Sequence, residues 1–88
     1  MTTSSEAIRN LEQASGAVQT AINNIENLIV DHDYQDVAAL VAGAVSALLE
    51  CATLLMQSKD EAAVDALERA DDFLDSVWEI IETETDED

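Results

Sequence analysis

Basic residues are nearly absent from this chain of 88 residues: Arg9, Lys59 and Arg69 stand against 20 acids, and the formal net charge is -17. Such a chain repels nucleic acid and anionic membrane and attracts basic surfaces, so direct nucleic-acid binding is excluded and a basic-surfaced partner is expected. Cysteine is equally scarce. Cys51 is the one thiol, lies in an apolar stretch and has no intramolecular partner, which excludes a disulfide and fits a reducing, cytoplasmic setting. The first residues lack both the basic region and the apolar run of a secretory signal, and read as a mature cytoplasmic start.

Histidine and glycine are also too few for most chemistry. With one histidine, two glycines and no hydroxyl nucleophile beside a base, the chain has no catalytic constellation and no glycine-rich phosphate loop. No enzyme and no cofactor are expected. Asp31, His32, Asp33 and Asp36 are the one cluster that invites a metal. A calcium loop needs glycine at its sixth position, where Asp36 stands, and glutamate at its twelfth, where Ala42 stands. One histidine among turn carboxylates is a weak zinc set, so no metal site is assigned.

Aromatics number one each of Phe, Trp and Tyr, and although hydrophobic residues are 48% of the chain, many are alanine. A core built this way is thin, near the size at which a single domain needs long helices or association.

What the chain does have is helical periodicity. Thr3 and Glu6 spell a capping box, after which Ile8, Leu11, Val18, Ile22, Ile25 and Ile29 recur at three- and four-residue steps once Ser15 is admitted. Ala7, Ala14, Ala21 and Leu28 widen this face on one flank. A first helix is expected over about 4–30, followed by a break at Asp31–Asp36 with Asp33 as N-cap. No proline or glycine marks that boundary.

A second helix is expected over about 34–57. From Val37 to Gln57 the only charge is Glu50. Asp36, Ala39, Gly43, Ser46, Glu50, Thr53 and Gln57 form a narrow polar or small ribbon, and Val37, Val41, Ala44, Leu48, Cys51 and Leu55 run opposite it. Leu40, Ala47 and Leu54 lie on one flank; Val45, Leu49, Ala52 and Met56 lie on the other. About five positions in seven are apolar or alanine, against roughly three in seven for a helix facing an ordinary core. A helix with two neighbours does not need that much, and the surplus predicts a homodimer through Val37, Leu40, Val41, Ala44, Val45, Leu48, Leu49 and Ala52. Ala39, Gly43 and Ala47, four apart, have the spacing of a close backbone approach, a weak signal outside membranes. The uncharged run from Val37 to Leu49 falls short of the about 20 residues of a span, so a buried soluble helix is expected rather than a membrane segment.

Ser58 and Glu61 spell a second capping box, opening a third helix over about 59–82. Its seam is Ala63, Leu67, Ala70, Leu74, Val77 and Ile81, with Ala66, Phe73 and Ile80 on one flank and Val64 and Trp78 on the other. The fold expected is therefore all-α: an up-down-up three-helix bundle of long helices in one domain, 1–82, ahead of a disordered acidic tail, 83–88, that carries Thr83 and Thr85.

The sharpest pattern lies on that third helix. Glu61, Asp65, Glu68, Asp72, Asp75, Glu79 and Glu82 alternate four- and three-residue steps, so seven carboxylates share one face. The stripe is roughly 32 Å long at 1.5 Å per residue. With Asp60 and Asp71 the helix carries an acid about every 3.5 to 4 Å, close to the roughly 3.4 Å between phosphates of one DNA strand. Arg69 is in reach of Asp65 and Asp72 for intrahelical pairs. Trp78 stands between the apolar Leu74 and Ile81 and the acids Asp75 and Glu82. It is an anchor for a partner or, more plainly, a core-edge residue.

The function expected is that of a small acidic binding protein, inhibiting or regulating a basic-surfaced, nucleic-acid-binding protein by nucleic-acid mimicry. Its contact residues are the stripe together with Asp71 and Trp78. Two alternatives stand beside it: a helical adaptor or chaperone that binds through apolar helix faces, and an acidity that is only adaptation to a salt-rich cytoplasm.

Overall fold

The computed structural model describes residues 2–30 and 33–85, and among these it contains helices and no strand. The helices are α1 Ser4–Glu26, α2 Gln35–Met56 and α3 Asp60–Thr85.

Each helix end has a local cause. At the start of α1 the Glu6 N–H donates to Thr3 Oγ1 at 3.2 Å, which is the hydroxyl half of the expected capping box. α1 stops short of residue 30 because asparagine competes for the backbone: Asn27 Nδ2 donates to the Asn23 carbonyl at 2.7 Å, and the Asn27 N–H donates to the same oxygen. Leu28 and Ile29, expected on the helix face, thus fall outside the helix and are exposed. The N-cap position of α2 is Tyr34, whose side chain does not cap the helix, and not Asp33.

The turn between α2 and α3 is built differently from the capping box expected there. Ser58 takes φ 60°, the left-handed conformation. The Ser58 N–H donates to the Leu55 carbonyl at 3.1 Å, and the Lys59 N–H donates to the Leu54 carbonyl at 2.9 Å. That pair of bonds is a Schellman closure, so Ser58 ends α2 and does not cap α3. α3 then runs through Thr85, past its expected end at 82 and into the segment expected to be a disordered tail.

The order is up-down-up. Ala7 and Leu11 at the start of α1 lie beside Ala52, Leu55 and Met56 at the end of α2, whereas Gln19 and Ile22 lie beside Leu40 and Gly43. Gly43 meets Phe73, and Cys51 packs with Ala63 and Ala66, so α3 is likewise antiparallel to α2. The bundle is open. α1 and α3 both pack on α2, but no Cα of α1 lies within 8 Å of a Cα of α3. They occupy opposite flanks of α2, one flank holding Ala52, Thr53 and Met56, the other Gly43, Ala47, Cys51 and Leu54.

This arrangement turns α3 only part-way from the seam read in the sequence, burying its Ala63, Ala70 and Val77 together with the flank residue Ala66 and leaving its Leu67, Leu74 and Ile81 exposed. Phe73 is half-buried beside the buried residues, while Leu67 and Leu74 remain 46% and 39% exposed. Alanines face Gly43, Ala44, Ala47 and Cys51 of α2, all buried. Small side chains on both helices bring them close, and the leucines rotate outward. The core is correspondingly thin: among the described residues, besides Ile22, Val77 and Cys51 it consists of alanines. α2 itself is central without being engulfed, because only Gly43, Ala44, Ala47 and Cys51 of its 22 residues are buried.

Candidate functional site

Because α3 packs through its alanine line, its opposite face points away from the molecule. Glu61, Asp65, Glu68, Asp72, Asp75, Glu79 and Glu82 are all exposed there, and Asp71 borders them. No basic residue on α3 screens the row by pairing within the helix. Arg69, expected to pair with Asp65 and Asp72, reaches across to α2 instead, and its Nη2 donates to Glu50 Oε2 at 2.7 Å. About 100° per residue puts Arg69 on the edge of α3 nearer α2, roughly a quarter-turn from the mean direction of the stripe and about 40° and 60° from Asp65 and Asp72. The pair is half-exposed, so its contribution to stability is small. Its effect on the stripe is larger, since it takes the one cation in the middle of α3 off the acidic face. Thr83 lies exposed next to Glu82, with its hydroxyl donating to the Glu79 carbonyl at 2.7 Å.

Trp78 is 63% exposed. It lies on the flank of α3 between the acids and the outward leucines, with Leu67 and Leu74 on the same strip. That strip continues onto α2. The two flanks of α2 are taken by α1 and α3, and the ribbon side forms an open groove between Gln19 and Glu26 of α1 and Arg69 and Phe73 of α3. The remaining side, opposite the ribbon, carries Val41, Val45, Leu48 and Leu55, all exposed. The layer therefore has one polar face and one apolar face, and the acidic stripe forms its outer edge.

The residues expected at a dimer interface separate on this framework. Val41, Val45 and Leu48 lie on the open apolar side. Ala44 is buried within the chain, and Val37, Leu40, Leu49 and Ala52 are half-buried. Leu40 lines the groove on the polar side, beside Phe73. The outward leucines of α3 were missed as surface residues. The signal for them was present in the Ala63, Ala66 and Ala70 line, which matches the small residues of α2 better than the leucine line does.

Of the residues that invited a metal, Asp31 and His32 lie outside the described residues, and no group of three ligating side chains occurs among those described.

No family model, curated protein or solved structure matches the chain.

The surfaces must therefore be read from their own chemistry. By length and composition α2 is long and apolar enough to cross a membrane. α1 and α3 are packed along it, however, and a bilayer that took α2 would have to take the carboxylates of α3 as well, at a cost of several kcal/mol each.

Proposed function

We propose that this chain is a small acidic binding protein that inhibits or regulates a protein with a basic, nucleic-acid-binding surface, presenting α3 as a rigid rod of negative charge. The observation that carries the reading is the outward row of seven exposed carboxylates, left unscreened by Arg69, whose guanidinium is held by Glu50. A helix in a basic groove would place charges at nearly the spacing of a nucleic-acid strand, and long-range attraction would speed the encounter. Asp71 and Trp78 border the row, the tryptophan supplying apolar contact within an acidic field. In this reading the protein works in the cytoplasm, as a homodimer through α2, with neither enzymatic activity nor a cofactor.

The test is the triple variant Asp72→Lys, Asp75→Lys and Glu79→Lys in affinity capture from the native cell extract at low and high salt. The expected outcome is a basic partner that wild type captures at low salt, releases at high salt and loses to competing DNA, and that the variant does not capture.

The open apolar face favours a second reading, an adaptor or chaperone that grips its partner through aliphatic side chains while the acids keep it soluble. Under it the charge-reversed variant keeps its partner and capture resists salt, an outcome that sinks mimicry. Equal acidity in unrelated proteins of the same source would reduce the stripe to salt adaptation.

A further inference from the structure

We propose that the second copy of this chain seats on a face shared by α2 and α3, layer against layer, with Trp78 inside the interface; this rests on the homodimer reading above, changes its geometry and withdraws Trp78 from the contact with the basic partner, which is left to the carboxylates. α2 alone offers a strip one side chain wide. Arg69 and Phe73 face the groove, so Leu67, Leu74 and Trp78 of α3 fall on the other side of the layer, the side that carries Val41 and Leu48, and Leu55 and Met56 extend it toward the start of α1. At ordinary side-chain areas the exposed parts of these residues and Val45 amount to roughly 700 Å², more than the about 300–600 Å² of the largest patch on a typical monomer. The total approaches the about 800 Å² that each partner contributes to a stable interface.

A second copy fits this face better than a different protein for two reasons. The first is charge. The central strip of α2 on this face holds no charged residue to favour a charged partner, and it is the side where a twin carrying -17 meets the fewest facing carboxylates, Asp71 between Leu67 and Trp78 being the exception on α3. The second is the core. A chain whose buried interior is mostly alanine needs a permanent second layer, and its own copy is the one that is present whenever the chain is. A two-fold pairing of such faces is self-complementary by construction and leaves both acidic edges outside.

The experiment combines sedimentation over a wide concentration range with the emission of Trp78, the only tryptophan. Wild type, Leu48→Glu on α2 and Leu74→Glu on α3 are compared, with helicity followed by circular dichroism. Both leucines are partly exposed in the single chain, so either variant can fold as a monomer. Wild type is expected to dissociate on dilution with a red shift of Trp78 emission, and added salt is expected to favour the dimer. Each variant is expected to weaken association at least about tenfold, or about 1.4 kcal/mol.

If Leu74→Glu stays dimeric while Leu48→Glu does not, or if Trp78 emission is unchanged across wild-type dissociation, the shared face is wrong and the dimer through α2 alone stands. A wild type that is monomeric at every concentration overturns both. Wild-type monomer that floats with neutral phosphatidylcholine vesicles assigns the face to a lipid surface and likewise overturns the second copy. Should a variant lose its helicity, dilution of wild type with the Trp78 readout still decides.

Discussion

Ser58 and the two glycines show how much depends on single backbone positions. At φ 60° a residue with a Cβ is strained by about 1–2 kcal/mol, and glycine is not. Set against the extra freedom of glycine in the unfolded chain, Ser58→Gly is expected to stabilise by about 0.5–1 kcal/mol in chemical denaturation. Gly16 lies in the middle of α1 with nothing within 4 Å of where a methyl group would stand, so Gly16→Ala should gain about 1 kcal/mol from helix propensity alone. At Gly43 the same methyl would stand 3.0 Å from Phe73 Cε1. The propensity gain is opposed there by overpacking of about 1–3 kcal/mol, so Gly43→Ala is expected to be no more stable than wild type and clearly less stable than Gly16→Ala. Paired melts of the two variants check this.

At the scale of the element, the rotation of α3 decides what the helix can do. Were it to pack through Leu67 and Leu74, Ala66 and Phe73 would turn toward solvent and Trp78 toward the core. It packs instead through Ala63, Ala66 and Ala70 against the small residues of α2, which frees the leucines and puts the stripe on the outer edge. Ala66→Leu, at a fully buried position, is accordingly expected to cost about 1–3 kcal/mol by overpacking the α2–α3 contact, measured as a lower denaturation midpoint at unchanged slope. The helical spans were legible in the sequence to within a few residues. The exceptions were the end of α1, where Asn23 and Asn27 act on the backbone, and the end of α3, which runs to Thr85. The rotation was legible only in part, because the seam read in the sequence mixes Ala63, Ala70 and Val77 with Leu67, Leu74 and Ile81, and its period does not say which half turns inward. Only the opposing surface of α2 selects between them.

For the whole molecule the dominant quantity is a net charge of -17 on a thin core. Like charges at three- and four-residue spacing on α3 each cost a few tenths of a kcal/mol, and repulsion between the acids of different helices adds to this. Salt screens both over a Debye length of about 10 Å at 0.1 M. The thermal midpoint is therefore expected to rise steadily between low and about 1 M sodium chloride, checked by circular dichroism melts, and to rise far less in the Asp72, Asp75 and Glu79 charge-reversed variant. On the two proposals above, the same screening is expected to weaken capture of a basic partner and to strengthen self-association, so the two surfaces should respond to salt with opposite sign.

By itself the sequence determined the helices and the composition of each face, because the period of an α-helix sets which residues share a side whatever lies opposite. The seven-acid row and the nearly uncharged α2 follow from spacing alone. Tertiary structure decided which of those faces is covered: α1 and α3 took the flanks of α2 and left its middle open, Arg69 went to Glu50, and Ser58 closed one helix instead of opening the next. Each of these depends on what stands across a gap, and small residues that admit a close neighbour carry no mark of which neighbour it will be.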